Sequence, residues 1–216
     1  MSLKIQSILI LFFAFNITLW AQDDKLARMY FKNGVYDKAE VIYEKLFDKS
    51  PHVISYFDFY VQSLQRQDKH DKVRQVLTDY ISSQNKQIKP QFKAIAEILL
   101  GQHYHKHQDN VKAAQFYDKA FQTLVEDPSR GYRIAHKFHE VQALDYARRS
   151  YEHMMKIRPG ANYYFQLATV YGELGDVEHM FNTLLDFVGK DSKNIQTATR
   201  YFSRYVTDDN QNPHNV

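Results

Sequence analysis

Apolar residues in this chain recur three, four and seven positions apart, which marks one face of an α-helix and not the alternation of a half-buried strand. The clearest set starts at a fixed place. Ala39 is followed by Tyr43 and Leu46, Val73 by Leu77 and Tyr80, Ala113 by Tyr117 and Ala120, Ala147 by Tyr151 and Met154, and Met180 by Leu184 and Phe187. The starting residues are 34, 40, 34 and 33 positions apart. Ahead of each lies a second apolar segment, predicted to be a first helix: Leu26, Ala27 and Tyr30; Leu100, Gly101 and Tyr104; Ile134, Ala135 and Phe138; Leu167, Ala168 and Tyr171. A small residue beside a large one lets two helices approach closely, and the aromatic residue one turn later fills the space above. The second unit departs from this, with Val61 in the small place. Asn33-Gly34 and Gly175 mark turns between paired helices, whereas no glycine marks the turn at 67–70. Pro51 and Pro159 each stand twelve residues after their Ala and stop a helix, because proline lacks an amide donor and clashes with the preceding turn.

The period breaks twice. The step of 40 places six extra residues near 81–89, in a longer second helix or a longer loop; loops accept such insertions at little cost. At the other end, residues 195–206 read as one more helix, with Ala198, Tyr201, Phe202 and Tyr205 on its apolar side. It is expected to cover the open end of the stack, as terminal repeats require. The polar stretch 207–216 is expected to fray.

Taken together, the five units at 22–53, 54–87, 91–127, 128–160 and 161–194 resemble the tetratricopeptide repeat family. The resemblance is best at Leu26–Pro51, Ala135–Pro159 and Tyr164–Phe187. It implies an all-α fold, a right-handed superhelix or α-solenoid with 195–206 as a capping helix. It also implies a concave groove lined by the first helices, in which a partner peptide or protein lies, with no cofactor. The outward positions of those helices are Asp24, Arg28, Phe31 and Lys32; Asp58, Gln62, Gln65 and Arg66; Ile98, Gln102, His105 and Lys106; Tyr132, His136, His139 and Glu140; and Phe165, Thr169 and Glu173. Phe31, Ile98, Tyr132 and Phe165 are the candidate apolar anchors. Relatives that clamp a C-terminal carboxylate use Lys and Asn at set places where this chain has Asp24 and Arg28, so that specificity does not carry over.

Residues 1–21 have a different composition. Lys4 precedes an apolar run from Ile8 to Trp20, 13 residues long, and Ala21 follows as a small residue. That length suits a secretory signal core and falls short of the roughly 20 residues a membrane span needs. The expectation is a cleaved signal peptide and an exported product in a periplasm or outside the cell, with no membrane span after cleavage; an uncleaved anchor and a buried helix are the alternatives for this segment. Trp20, the single tryptophan, would leave with the signal. A scaffold of the cell envelope is the leading reading. The alternative is the exported sensor or assembly part of a larger regulator or machine, of which this chain is a fragment.

Charge and chemistry narrow this further. The 28 Lys+Arg against 25 Asp+Glu leave a net charge of +3, without the clustered basic surface that nucleic acid demands. The absence of Cys excludes disulfides, thiol nucleophiles, thiolate metal sites and a lipid-modified N-terminal cysteine. No GxGxxG, GxxxxGK[ST], GxSxG or HExxH pattern occurs, and no enzyme is expected. Asp37, Asp145 and Asp176 read as helix N-caps. His103, His105 and His107 cluster, and His103 and His107 share a helical face, as do His136 and His139. Without a third ligand in sight these histidines read as ordinary surface rather than a metal site.

Overall fold

The structure, a computed structural model, describes residues 22–203 apart from Pro159. The expected signal peptide, the tail 207–216 and the stop at Pro159 therefore lie outside the described residues. Within them all regular structure is helical: α1 (residues 22–32), α2 (Tyr36–Lys49), α3 (Ile54–Gln65), α4 (His70–Ser82), α5 (Pro90–Lys106), α6 (Asn110–Glu126), α7 (Tyr132–Glu140), α8 (Leu144–Ile157), α9 (Tyr164–Glu173), α10 (Val177–Lys190) and α11 (Ile195–Phe202).

Five hairpins, α1–α2 through α9–α10, share one turn. Gly34, Asp68, Gln108, Gln142 and Gly175 all have φ between 54° and 77°, the left-handed region. Each stands seven residues after Ala27, Val61, Gly101, Ala135 or Ala168, and five before the start of the second-helix pattern. The next amide reaches back five residues to close the first helix: Val35 to Tyr30, Lys69 to Leu64, Asp109 to Tyr104, Ala143 to Phe138 and Asp176 to Tyr171, at 2.9–3.1 Å. The left-handed residue itself donates to the carbonyl three back. This pair of bonds is the Schellman arrangement, which satisfies orphan carbonyls at a helix end. The residue closing one helix also opens the next, since the carbonyls of residues 35, 69, 109, 143 and 176 accept the first amide bond of the second helix.

That dual use corrects two of the expected caps. Asp37 and Asp145 lie inside the first turns of α2 and α8, whose N-caps are Val35 and Ala143 with no side-chain bond. Asp176 is a true cap, accepting from the His179 amide, and Asp109 does the same for Lys112 at α6. The six extra residues are also located: the seven-residue connection 83–89 and an early start of α5 absorb them, while the second helix α4 is not lengthened.

The chain forms two compact units, Met1–Ala96 and Glu97–Val216. In the first, α2 packs on α3 and α3 on α4. Ala27, Ala39, Tyr43, Phe57, Val61, Leu64, Val73 and Leu77 are fully buried there. Phe57 lies 4.0 Å from Tyr80, nearly parallel, and Phe47 leans on both; such ring pairs add about 0.5–1.5 kcal/mol beyond the area they bury. The one carboxylate in this core, Glu40, accepts hydrogen bonds from Gln67, Lys69 and Lys72 at the turn of the second hairpin. Burial alone would raise its pKa, but the three donors overcome that and hold it below the ordinary carboxylate range.

In the second unit Gly101 is buried where α5 meets α6, and a Cβ there would stand 2.5 Å from the Tyr117 ring. Phe138 bridges Tyr117 and Tyr146, tying the third hairpin to the fourth. Tyr201 and Phe202 of α11 pack on Phe165 and Phe181 of the last hairpin, at 5.5 and 4.8 Å. This is the contact expected of a closing helix, although 204–206 lie outside the described residues.

Candidate partner-binding faces

The outward positions of the first helices are the candidate site, and each unit presents its own set. In the first unit, Arg28 forks onto Asp24 at 3.0–3.1 Å and stands 5.3 Å over the Phe59 ring. The Asp24 bond raises the pKa of the guanidinium, which stays charged. Phe31 meets Phe59 and Tyr36 edge-on at 5.0 and 5.4 Å, so its ring is half-buried between the first two hairpins. Lys32 and Arg66 are exposed, and Asp58 and Gln62 half-buried. Behind them sits Tyr43, stacked on Phe59. Burial pushes its hydroxyl up to about 12, and that hydroxyl has no hydrogen-bond partner among the described residues.

In the second unit Tyr132 is 41% exposed and stacks on Tyr163 at 5.7 Å. His136 pairs with Glu140 at 3.3 Å on its own helix. His139 reaches across instead: its Nε2–H donates to Glu173 of α9 at 3.0 Å. Two successive first helices are thereby joined by a hydrogen bond that single-helix spacing cannot reveal. Gln102 is half-buried and Lys106 exposed at the end of α5. Phe165 is half-buried, its ring turned to Phe187 and Tyr201. Tyr151 occupies the repeat position of Tyr43, and its buried hydroxyl is likewise unpartnered among the described residues.

One expected anchor is corrected. Ile98 is 0% exposed and cannot meet a partner. The reason is the character of α5, in which Ala94, Ile95, Ala96, Ile98, Leu99 and Leu100 are all buried. A helix apolar on most of its circumference offers no polar face from which to read its outward side.

The histidine cluster resolves into separate contacts. His103 is buried, and the His107 ring lies 4.4 Å from it while its Nδ1–H donates to the His103 carbonyl at 2.7 Å. His105 turns away to Asn110. Among the described residues no three His, Asp or Glu side chains converge in a way that could hold a metal ion.

No protein-family model and no curated protein matches the chain. Solved structures do. BtubC (BKLC) from P. vanneervenii superposes with a TM-score of 0.54 at 16% identity, covering 95% of this chain and 91% of that one. TTC0263, a thermophilic TPR protein of Thermus thermophilus, gives 0.45 at 13% identity over 85% and 97%. The TPR2AB domain of yeast Sti1, solved in complex with pHSP90, gives 0.44 at 14% identity over 87% and 86%. At such identities likeness shows fold alone. The chain thus has an all-α helical-repeat fold of the tetratricopeptide type, one turn recurring in five hairpins.

Proposed function

We propose that this chain is an exported scaffold of the cell envelope that holds a partner peptide or protein on the outward faces of its first helices, without catalysis. The carrying observation is the set of five hairpins closed by one turn, in which both helices of each pair supply core and the outward positions of the first helices stay exposed or half-buried, Ile98 excepted. Such a repeat buries its apolar face only against neighbours and leaves a long side-chain surface for recognition. Arg28, Lys32 and Arg66 are exposed on the first-helix face of the first unit, and His105, Lys106, Tyr132, His136, Glu140 and Glu173 on that of the second. Export is supported by the apolar run from Ile8 to Trp20 behind Lys4. No described helix is long and apolar enough to cross a membrane.

Two measurements test the proposal. The mass of the protein recovered from a secreting bacterial host should begin at Gln22, and its emission should lack tryptophan. Recovery of Trp20-containing protein from the cytosolic fraction would end the export reading. Affinity capture with the chain, set beside a variant carrying Arg28→Ala, Lys32→Ala and Tyr132→Ala, should retain a protein that the variant loses. Equal retention by both would remove the first-helix faces from the reading.

A further inference from the structure

The first unit contains a cavity of about 300 Å³ between α2, α4 and the connection that follows α4, with Tyr60 of α3 in its wall. Its walls are aromatic and acidic: Phe47, Tyr60 and Tyr80 with Glu44, Asp48 and Asp79. The rings are close-packed, Phe47 lying 6.2 Å from Tyr60 and 5.7 Å from Tyr80. Their polar ends are already committed. The Tyr60 hydroxyl donates to Glu44 and the Tyr80 hydroxyl to the Pro51 carbonyl. Lys72, bound to Glu40 and Glu44, stands 5.6 Å over the Tyr60 ring. The carboxylates of Asp48 and Asp79, one from each second helix, form no hydrogen bond or ion pair with any described residue. Asp48 and Asp79 thus place uncompensated negative charge at the exposed mouth of the cavity, beside the neutral Ser83 and Asn85. The ring left for a cation is the half-buried Phe47, since Lys72 covers Tyr60 and Phe57 covers Tyr80. A metal ion is not what such walls select, since no three ligands converge among the described residues. A flat guanidinium is: it can lie along a ring while its N–H groups reach carboxylates on either side, which a compact ammonium cannot do as well.

We infer that this cavity receives an arginine side chain from a partner polypeptide, a second docking point on the second-helix side of the chain. It is independent of the first-helix surface proposed above. The test uses the full chain, isotopically labelled, titrated with the peptide acetyl-Gly-Ser-Arg-Ser-Gly-amide and with its twin carrying citrulline, the neutral isostere of arginine. The expected result is saturable shifts of the Asp48, Asp79 and Tyr80 resonances with the arginine peptide, with binding at least tenfold weaker for citrulline. The variant Asp48→Asn/Asp79→Asn, which keeps side-chain volume, should lose the response at least tenfold, and Arg28→Ala should leave it unchanged. Equal shifts with citrulline, or persistence in the double variant, would overturn the inference. So would movement of the same resonances on simple dilution of the chain, which would assign the cavity to a second copy. A response abolished by Arg28→Ala would overturn its independence from the first-helix face.

Discussion

Replacing Gly101 by alanine sets two effects of known size against each other. In an ordinary helix interior the change stabilises by about 1 kcal/mol, because glycine loses more backbone freedom on folding. Here the added methyl group would meet Tyr117 Cε1 at 2.5 Å, Cδ1 at 2.6 Å and the Ala113 carbonyl at 3.2 Å. The tyrosine cannot easily retreat. It is 8% exposed, with Phe138 at 5.8 Å and Tyr146 at 5.2 Å. Moving the carbonyl means moving α6. Overpacking of this kind costs about 1–3 kcal/mol, and a clash as close as this one belongs at the upper end. Gly101→Ala should therefore lose about 1–2 kcal/mol net, seen as a fall in Tm of roughly 2–8 °C for a chain of this size. Thermal unfolding followed by far-ultraviolet circular dichroism reads this directly. Tyr117→Leu removes the ring edge, so in its presence Gly101→Ala should cost less, with a coupling of at least about 0.5 kcal/mol. A Gly101→Ala protein as stable as its parent, or strict additivity with Tyr117→Leu, would refute the close-approach argument.

Other expectations follow from the caps and the core. Glu40→Gln should destabilise by about 1–2 kcal/mol at neutral pH, since Lys69 and Lys72 lose a charged acceptor whose partners are themselves part-exposed. Because folding lowers the Glu40 pKa, the folded state binds fewer protons as pH falls through about 4.5 and below; stability present above that value is lost on acidification. Glu40→Gln should flatten that part of a denaturant-midpoint profile against pH, and an unchanged slope would discount the burial of this carboxylate. Asp176→Ala should cost about 1 kcal/mol as a lost cap, and Asp145→Ala under about 0.5 kcal/mol; equal losses in urea titrations would contradict the assigned turn positions. Gln108→Gly should stabilise by about 0.5 kcal/mol, the relief at φ 65° exceeding the added freedom of the unfolded chain, and a lower Tm would speak against strain there.

The hairpins were legible because each needs a small residue, a ring and a second apolar face at fixed offsets, and four units keep all three while the second keeps only the apolar face, with Val61 and Leu64 in the other two places. The turns were half legible. Gly34 and Gly175 announce a left-handed residue, but Asp68, Gln108 and Gln142 take the same conformation without the side-chain economy that makes glycine visible. Had the turn been placed from Ala27, Ala135 and their counterparts, the caps would have fallen on residues 35, 69, 109, 143 and 176. Acidic residues alone put two of them two positions late. Ile98 went wrong for a different reason: periodicity locates an outward face only where a polar stripe exists, and α5 has little of one. The His139–Glu173 pair and the carboxylate-lined cavity join side chains 34 and 31 positions apart, His139 with Glu173 and Asp48 with Asp79. Such meetings depend on how one hairpin leans on the next, which no local pattern encodes.

The shared turn also governs how this molecule can change length. Within a hairpin, seven residues separate the small contact from the left-handed position, and adding one would swing the second helix about a third of a revolution off its partner. Between hairpins no such clamp exists, and the chain has already used that freedom at 83–89. Growth is thus admitted only at the seams. Foreign peptide spliced after the exposed Lys86 should leave all five hairpins folded, while the same peptide spliced after Gly34 or Gln142 should break the hairpin that receives it.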